Sequence, residues 1–255
     1  MPYVTHSFFE PPPDNTRIWR FMNFHKFVSM VTNSSLYFSR LDQLGDPFEG
    51  LLTKARIQSD EKVYDSYDSS EASEYGKSVI RWMHLDPYKQ RRTSLANCWH
   101  MNDYETELLW SRYSFMDGGV AIQSTFERLR SSLNIPNAVY IGIMKYMDWE
   151  TEPTPIGNMM NPIVTKRINY RDERELRAAI VTGFDRRKQT QSGINVPVNL
   201  IELVESVYIS PKSGDWMLKL IKNILKKYDL DLKVKKSGFT EKPMRPKFLK
   251  DHPMY

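Results

Sequence analysis

The segment Glu173-Arg174-Glu175 places two carboxylates two positions apart, and Arg177 follows two positions later. In a β-strand, side chains alternate between two faces, so Glu173, Glu175 and Arg177 would share one face. In a helix, Glu173 and Arg177 would form an ordinary ion pair four residues apart, worth about 0.2–0.5 kcal/mol. A strand would place these charges together, as in the wall of an active site, whereas a helix would give only a structural charge pair. The apolar flank favours a buried strand, which we predict over 173–181.

Two other places combine charge with an apolar context. Arg20 stands between two aromatic residues in a short predicted strand, where a guanidinium needs a partner or a ligand. The loop after the predicted strand 35–39 carries Arg40, Asp46 and Glu49. Charged loops that follow core strands often carry function, so we expect these three side chains at the rim of the same cleft as Arg20. The structural alternatives are an ion pair for Arg20 and a plain turn at Asp46.

Several well-known site classes are missing from the sequence. It contains no glycine-rich phosphate loop, no dinucleotide fingerprint and no nucleophile elbow. Cys98 and His100 lie two positions apart, but no second ligand pair follows at metal-site spacing, so we expect no metal site. A lone cysteine in a strand is usually a small buried hydrophobe, and one cysteine excludes an internal disulfide.

The composition indicates a globular protein. The chain has 255 residues, 40% of them hydrophobic and 13% aromatic, which is enough to bury a core. No basic-then-apolar signal segment opens the sequence, and no apolar run has the length of a membrane span. We therefore expect a cytoplasmic protein with no membrane contact.

The positive charge is concentrated near the C-terminus. From Lys219 to Lys250 there are ten lysines and one arginine against three acids, which gives 11 − 3 = +8. The net charge of the chain is +5, so the remainder sums to 5 − 8 = −3. A basic segment can attract nucleic acid, although it is often only a solvated face. A non-catalytic nucleic-acid-binding defence module is therefore the alternative function.

The elements that position these residues form an α+β pattern, with a single domain and small mixed or antiparallel sheets around a central cleft. Strands and helices do not alternate as regular β-α-β units, which favours this class. We predict strands at 17–22, 35–39, 94–99, 119–124, 138–145 and 173–181, further strand structure within 161–170 and 200–211, and helices at 23–33, 103–113 and 215–228. We divide the chain into an extended lead-in (1–16), one domain (17–232) with a polar insertion at about 58–78, and a basic tail (233–255).

Three longer segments together resemble a bacterial protein family known as domain of unknown function twenty-nine seventy-one. They are IWRFMNFHKFVSMVTNSSLYFSRLDQLGDPFEG, NCWHMNDYETELLWSRYSFMDGGVAIQST and KRINYRDERELR. The resemblance runs from about Ile18 to Trp216 and keeps the order of the segments. That family has no established activity, so this resemblance implies relatives but no reaction.

The chain is more remotely similar to ADP-ribosyltransferases, including toxins that modify DNA. A strand with a cationic residue, a helix and then SLYFS follow one another as at the start of that superfamily. The resemblance implies an ADP-ribosyltransferase-like fold and NAD as the substrate. It implies that Arg20 binds NAD, that Ser94 or Tyr113 lies beside the nicotinamide, and that Glu175, preceded by Glu173, is the catalytic carboxylate.

The chemistry of NAD cleavage suits these residue types. A carboxylate stabilises the oxocarbenium-like centre at the ribose, and a second one can orient or deprotonate an acceptor. Cations can hold the pyrophosphate and aromatic rings can stack on nicotinamide, so we add Arg40 and Trp110 to the expected NAD-binding set. The expected function is an NAD-consuming transferase or glycohydrolase, an effector in toxin or phage-defence biology. Its acceptor, a protein or a nucleic acid, stays open. We also expect a Glu175→Gln variant to fold.

Overall fold

Strands and helices follow one another irregularly along the chain in the computed structural model, which describes residues 2–113, 118–155, 157–181 and 191–241. The strands are β1 (Arg17–Asn23), β2 (Ser35–Arg40), β3 (Ser94–Met101), β4 (Gly119–Thr125), β5 (Tyr140–Ile143), β6 (Lys145–Met147), β7 (Thr165–Arg167), β8 (Glu175–Val181), β9 (Gly193–Pro197), β10 (Ser206–Ile209) and β11 (Lys233–Lys236). The helices are α1 (Phe24–Asn33), α2 (Lys54–Ser66), α3 (Glu71–Gln90), α4 (Glu107–Tyr113), α5 (Phe126–Ser132), α6 (Asn161–Val164), α7 (Leu200–Leu203) and α8 (Asp215–Lys227).

One large sheet dominates the structure. Its strand order is β11-β10-β4-β1-β3-β2-β9, and β8 pairs with both β3 and β5. The pairings are antiparallel except for β10 with β11, and a separate small sheet pairs β6 with β7 in parallel. The expected mixed class of helices and mixed sheets is therefore confirmed.

The main core lies where helices α1, α5 and α8 place apolar side chains against the large sheet. In α8, Met217, Ile221 and Leu225 recur every four residues and are buried, while Lys222 and Lys226 are exposed. This spacing gives the helix one apolar face, which packs against the core. Burial of each such side chain contributes about 1.5–3 kcal/mol to stability.

The sheet opens along one edge of β3. The whole of β8 pairs with residues 94–100 of β3 on one edge. Among the described strands, β1 pairs on the other edge with only the last two residues of β3, and β2 with only its second and third. Residues 97–99 therefore have no strand partner on that edge. The carbonyl oxygen of Cys98 instead accepts a hydrogen bond from Nη1 of Arg20, 2.9 Å away.

Most predicted elements are confirmed, with differences where the chain leaves one sheet for another. The predicted strand 138–145 is interrupted at Met144, because β5 pairs with β8 whereas β6 pairs with β7. The segment 161–170 contains a helical turn and then only a short strand. The predicted strand 200–211 begins as helix α7, because the Asn199 side chain accepts hydrogen bonds from two N–H groups of its first turn.

The lead-in and the polar insertion are both part of the folded chain. Phe9 is buried and its backbone packs against Gly142 of β5. The insertion at 58–78 belongs to the two largely exposed helices α2 and α3. The basic tail begins with β11, and 242–255 lie outside the described residues. Within the described ranges, no helix combines the length and apolar character needed to cross a bilayer.

Candidate active site

A small polar cleft lies where β1 and β3 separate, beside the end of α4. Its volume is about 60 Å³, room for a few water molecules. Its charged and polar lining includes Arg20, His100, Arg112, Tyr113, Glu173 and Glu175. Four of these residues are candidates from the sequence: Arg20, Tyr113, Glu173 and Glu175.

The two glutamates meet by a different route from the one predicted. Glu173 ends a 3₁₀ segment, Arg174 adopts a left-handed conformation (φ 39°), and β8 begins only at Glu175. The prediction of one strand over 173–181 is therefore wrong at its start. The two carboxylates converge because both bind Nζ of Lys166, Glu173 at 2.6 Å and Glu175 at 2.8 Å.

The prediction that Glu175 and Arg177 share one strand face is confirmed. Nε of Arg177 donates to Oε1 of Glu175 at 2.7 Å. The rest of the guanidinium binds both carboxylate oxygens of Glu49, at 2.9 and 3.1 Å, and the carbonyl oxygen of Ile163. Arg177 is fully buried, so these partners replace the water that its charge would otherwise bind.

Lys166 joins these pairs into one ion cluster, which we define as Glu49, Lys166, Glu173, Glu175 and Arg177. Besides the two glutamates of the cleft, its ammonium group binds Glu49 at 3.2 Å. Arg112, on the exposed side of the cluster, pairs with Glu173. With Arg112, three carboxylates face three cations, so the group is neutral overall. Sequence reasoning missed Lys166, since only the fold brings it close to Glu49.

The cluster fixes the charge states of its members. Burial alone would raise the pKa of Glu175, but Arg177 and Lys166 outweigh it and hold the pKa at about 2, below the ordinary 4.5. Burial, together with the charge of Glu175, raises the pKa of the Cys98 thiol. Glu175 is therefore ionised at neutral pH, and Cys98 is a neutral thiol rather than an activated nucleophile.

Arg20 differs from the other arginine of the buried region. Its guanidinium donates a hydrogen bond to the Cys98 carbonyl, and no carboxylate in the described part of the chain lies within ion-pair distance of it. Burial lowers the pKa of Arg20, but a guanidinium stays protonated in proteins. The cleft thus contains a positive charge without a negative partner among the described residues, which is the condition for binding an anion.

Tyr113 and His100 supply neutral groups to the same cleft. Burial raises the pKa of Tyr113, so its phenol is neutral. Nδ1 of His100 lies 2.7 Å from the carbonyl oxygen of Glu173, which can only accept, so Nδ1 carries the hydrogen. Burial lowers the pKa of His100, and Nε2 is buried without a partner in the described structure. Sequence reasoning considered His100 only as a metal ligand.

Three predicted NAD-binding residues lie outside the lining of this cleft. Ser94 is buried at the opposite end of β3. Arg40 pairs with Asp42 at 2.8 Å. Trp110 is buried, packs edge-to-face on Phe21 with ring centroids 4.9 Å apart, and donates a hydrogen bond to Glu105.

The predicted rim of Arg40, Asp46 and Glu49 does not line the cleft either. Asp46 accepts two hydrogen bonds from Arg167, at 2.8 and 3.0 Å. Glu49 belongs to the ion cluster and so reaches the cleft only through its partners. The loop therefore contacts the residues that line the cleft, through Glu49, but does not line the cleft itself.

The chain was compared with known families, curated proteins and solved structures. No protein-family model and no curated protein matches the chain. The chain is similar to a structure of Thermus sp. 2.9 DarT in complex with NAD+, with 6% sequence identity, 91% of this chain and 100% of that chain covered, and a TM-score of 0.41. Similarity of this extent does not establish a shared fold or activity.

Proposed function

We propose that the protein is an NAD-consuming enzyme of the ADP-ribosyltransferase type and that the cleft of Arg20, Tyr113 and Glu173 holds the reacting end of NAD. The observation that carries this proposal is the guanidinium of Arg20, which has no carboxylate partner among the described residues and shares a cleft with an aromatic ring and a carboxylate. A cation, a stacking surface and an anion are the three groups that NAD cleavage uses.

Each group has a defined role in the proposed reaction. Arg20 binds the pyrophosphate or a ribose hydroxyl, and Tyr113 stacks on the nicotinamide ring. The bond between nicotinamide and the ribose carbon breaks, and nicotinamide leaves with the electron pair as a neutral ring. The oxocarbenium centre is then captured by the acceptor, or by water, which loses a proton. Because the volume of the cleft is only about 60 Å³, the nicotinamide end enters only if side chains of the lining move, and the rest of the dinucleotide lies outside the cleft.

The carboxylate that faces the ribose carbon is Glu173 in this proposal. Its side chain is 20% exposed, whereas that of Glu175 is 3% exposed. Both oxygens of Glu175 accept from cations, Arg177 and Lys166, and both oxygens of Glu173 accept from Arg112 and Lys166. The greater exposure of Glu173 is therefore what distinguishes the two carboxylates. Glu175 therefore positions Lys166, and through it Glu173, instead of contacting the substrate. This reverses the roles that the resemblance to ADP-ribosyltransferases implied.

Binding is tested by thermal melting with and without NAD, since a ligand of the native state raises the melting temperature. NAD should raise it for the wild type and raise it much less for Arg20→Gln. The matched control is Arg171→Gln, an exposed arginine of the 3₁₀ segment before Glu173. The absence of any shift at millimolar NAD, or an equal shift in all three proteins, would rule out Arg20 as the anion-binding group.

The reaction is tested by measuring nicotinamide release, with and without added protein or nucleic acid as acceptor. Loss of a preorganised charge typically costs about 10²–10³ in rate, and we expect that loss for Glu173→Gln. Asp172→Asn, an exposed acid one position away, is the control and should keep full activity. Full activity in a folded Glu173→Gln variant would show that this carboxylate is not catalytic.

A further inference from the structure

A second cavity, separate from the cleft, lies between helix α3 and the segment around 154–162. Its volume is about 270 Å³, just below the range of about 300–1,000 Å³ typical of small-molecule sites. Apolar side chains dominate the lining, among them Val79, Trp82, Met83 and Met159. One acid, Asp86, also lines it.

Asp86 is buried without a partner. Its residue is 5% exposed, and no hydrogen bond or ion pair to its side chain is present in the described part of the chain. Lys89, three positions later on the same helix, is exposed and makes no ion pair with it. The carboxylate oxygens keep some solvent contact and line the cavity, so a ligand there can supply the donor that the described residues do not.

A neighbour of Asp86 adds a second group that favours a cation. Trp82 lies one turn before Asp86 on the same helix face, and its indole can interact with an ammonium group. The cavity therefore offers a carboxylate and an aromatic face.

The one arginine in the lining does not neutralise Asp86. Arg56 binds both carboxylate oxygens of Asp60, at 2.8 and 2.5 Å. His84 also hydrogen-bonds to Asp60, at 2.9 Å. The positive charge of Arg56 is thus already paired with Asp60, and Asp86 has no cationic partner among the described residues.

We propose that this cavity binds a small organic amine in its ammonium form, with an apolar body. The ammonium group donates to the carboxylate of Asp86. The apolar body packs against Trp82 and Met159. This site is independent of the proposed NAD reaction and shares no residue with the cleft.

The test uses phenethylamine as the probe and phenethyl alcohol, its neutral isostere, as the matched ligand. Binding of each to the full chain is measured by calorimetry and by amide chemical shifts. We expect the amine to bind at least about tenfold more tightly, because a hydrogen bond to a charged group contributes about 1.5–3 kcal/mol. Equal affinity of the two ligands, or no binding of the amine, would overturn the proposal.

Two variants locate the site. Asp86→Asn keeps the size of the side chain and removes the charge, so the preference for the amine should disappear. The variant should melt at or above the wild-type temperature, since an unpaired buried charge is removed. Trp82→Leu should weaken amine binding severalfold, while Trp216→Leu, an equally exposed tryptophan on α8, should not change it. A full amine preference in Asp86→Asn, or undiminished amine binding in Trp82→Leu, would refute the site, and the second variant decides if the first does not fold.

Discussion

Removing the charge of Glu175 leaves Lys166 and Arg177 in the buried cluster with one carboxylate fewer. Breaking a buried ion pair by removing one partner typically costs about 3–5 kcal/mol, because the remaining charge is uncompensated. We therefore predict that Glu175→Gln lowers the free energy of unfolding by about that amount, measured by urea denaturation. The sequence alone led only to the expectation that this variant folds, since it shows Glu173 nearby but not Lys166.

The matched variants for this prediction are Glu173→Gln and Asp172→Asn. Glu173 is partly exposed, and its removal leaves Lys166 with Glu49 and Glu175, so the loss should be clearly smaller than for Glu175→Gln. Asp172 is exposed, and its substitution should change stability by less than about 0.5 kcal/mol. Equal stability of all three variants would contradict a structural role of the ion cluster.

The lowered pKa of Glu175 predicts acid sensitivity in a defined pH window. In the unfolded chain this carboxyl takes up a proton near its ordinary pKa of 4.5, whereas in the folded protein the pKa is held at about 2. Between these two pH values the unfolded state binds more protons than the folded state. The contribution of ionised Glu175 to folding stability is therefore complete above about pH 4.5 and is lost as the pH falls to about 2. Urea denaturation across this window should show that decline in the wild type and a flatter profile in Glu175→Gln. Identical profiles would assign the acid sensitivity to other carboxyl groups.

At the scale of elements, strand β5 depends on a glycine to receive the N-terminal lead-in. A Cβ at Gly142 would lie 2.6 Å from Cα of Phe9, a backbone atom that cannot move aside alone. We predict that Gly142→Ala destabilises the protein by about 1–3 kcal/mol, the usual cost of overpacking. Gly45→Ala is the control, because a Cβ there meets nothing within 4 Å. Comparable melting temperatures for the two variants would show that the lead-in does not pack closely on β5.

The elements of the site were more predictable than their contacts. Alternation along β8 predicted that Glu175 and Arg177 share a face, and the apolar flanks of Arg20 predicted its strand. The separation of β1 from β3 was not predictable, because strand pairing depends on residues far apart in sequence. Likewise, Arg177 and Glu49 are separated by 128 positions, and no local pattern links them.

At the scale of the whole molecule, charge is segregated between a body of −3 and the basic segment Lys219–Lys250 of +8. In the described part of that segment, α8 packs against β11, and lysines of both elements are exposed. Lys222 and Lys226 are one turn apart on α8, so they share a face. This surface is the basis of the alternative function, a nucleic-acid-binding module, and it can coexist with the proposed enzyme.

The last prediction concerns this basic surface. If it contacts nucleic acid, affinity for a single-stranded oligonucleotide should fall steeply as salt is raised, with a logarithmic slope of about −0.7 per phosphate neutralised. The double variant Lys222→Glu and Lys226→Glu should weaken binding and make the slope shallower. Lys62→Glu, at an exposed position on α2, should leave both unchanged. Fluorescence anisotropy over a salt series measures these quantities. Since these lysines are exposed and make no ion pair among the described residues, the variants should fold. Unaltered binding in the double variant would show that the lysines are only a solvated face.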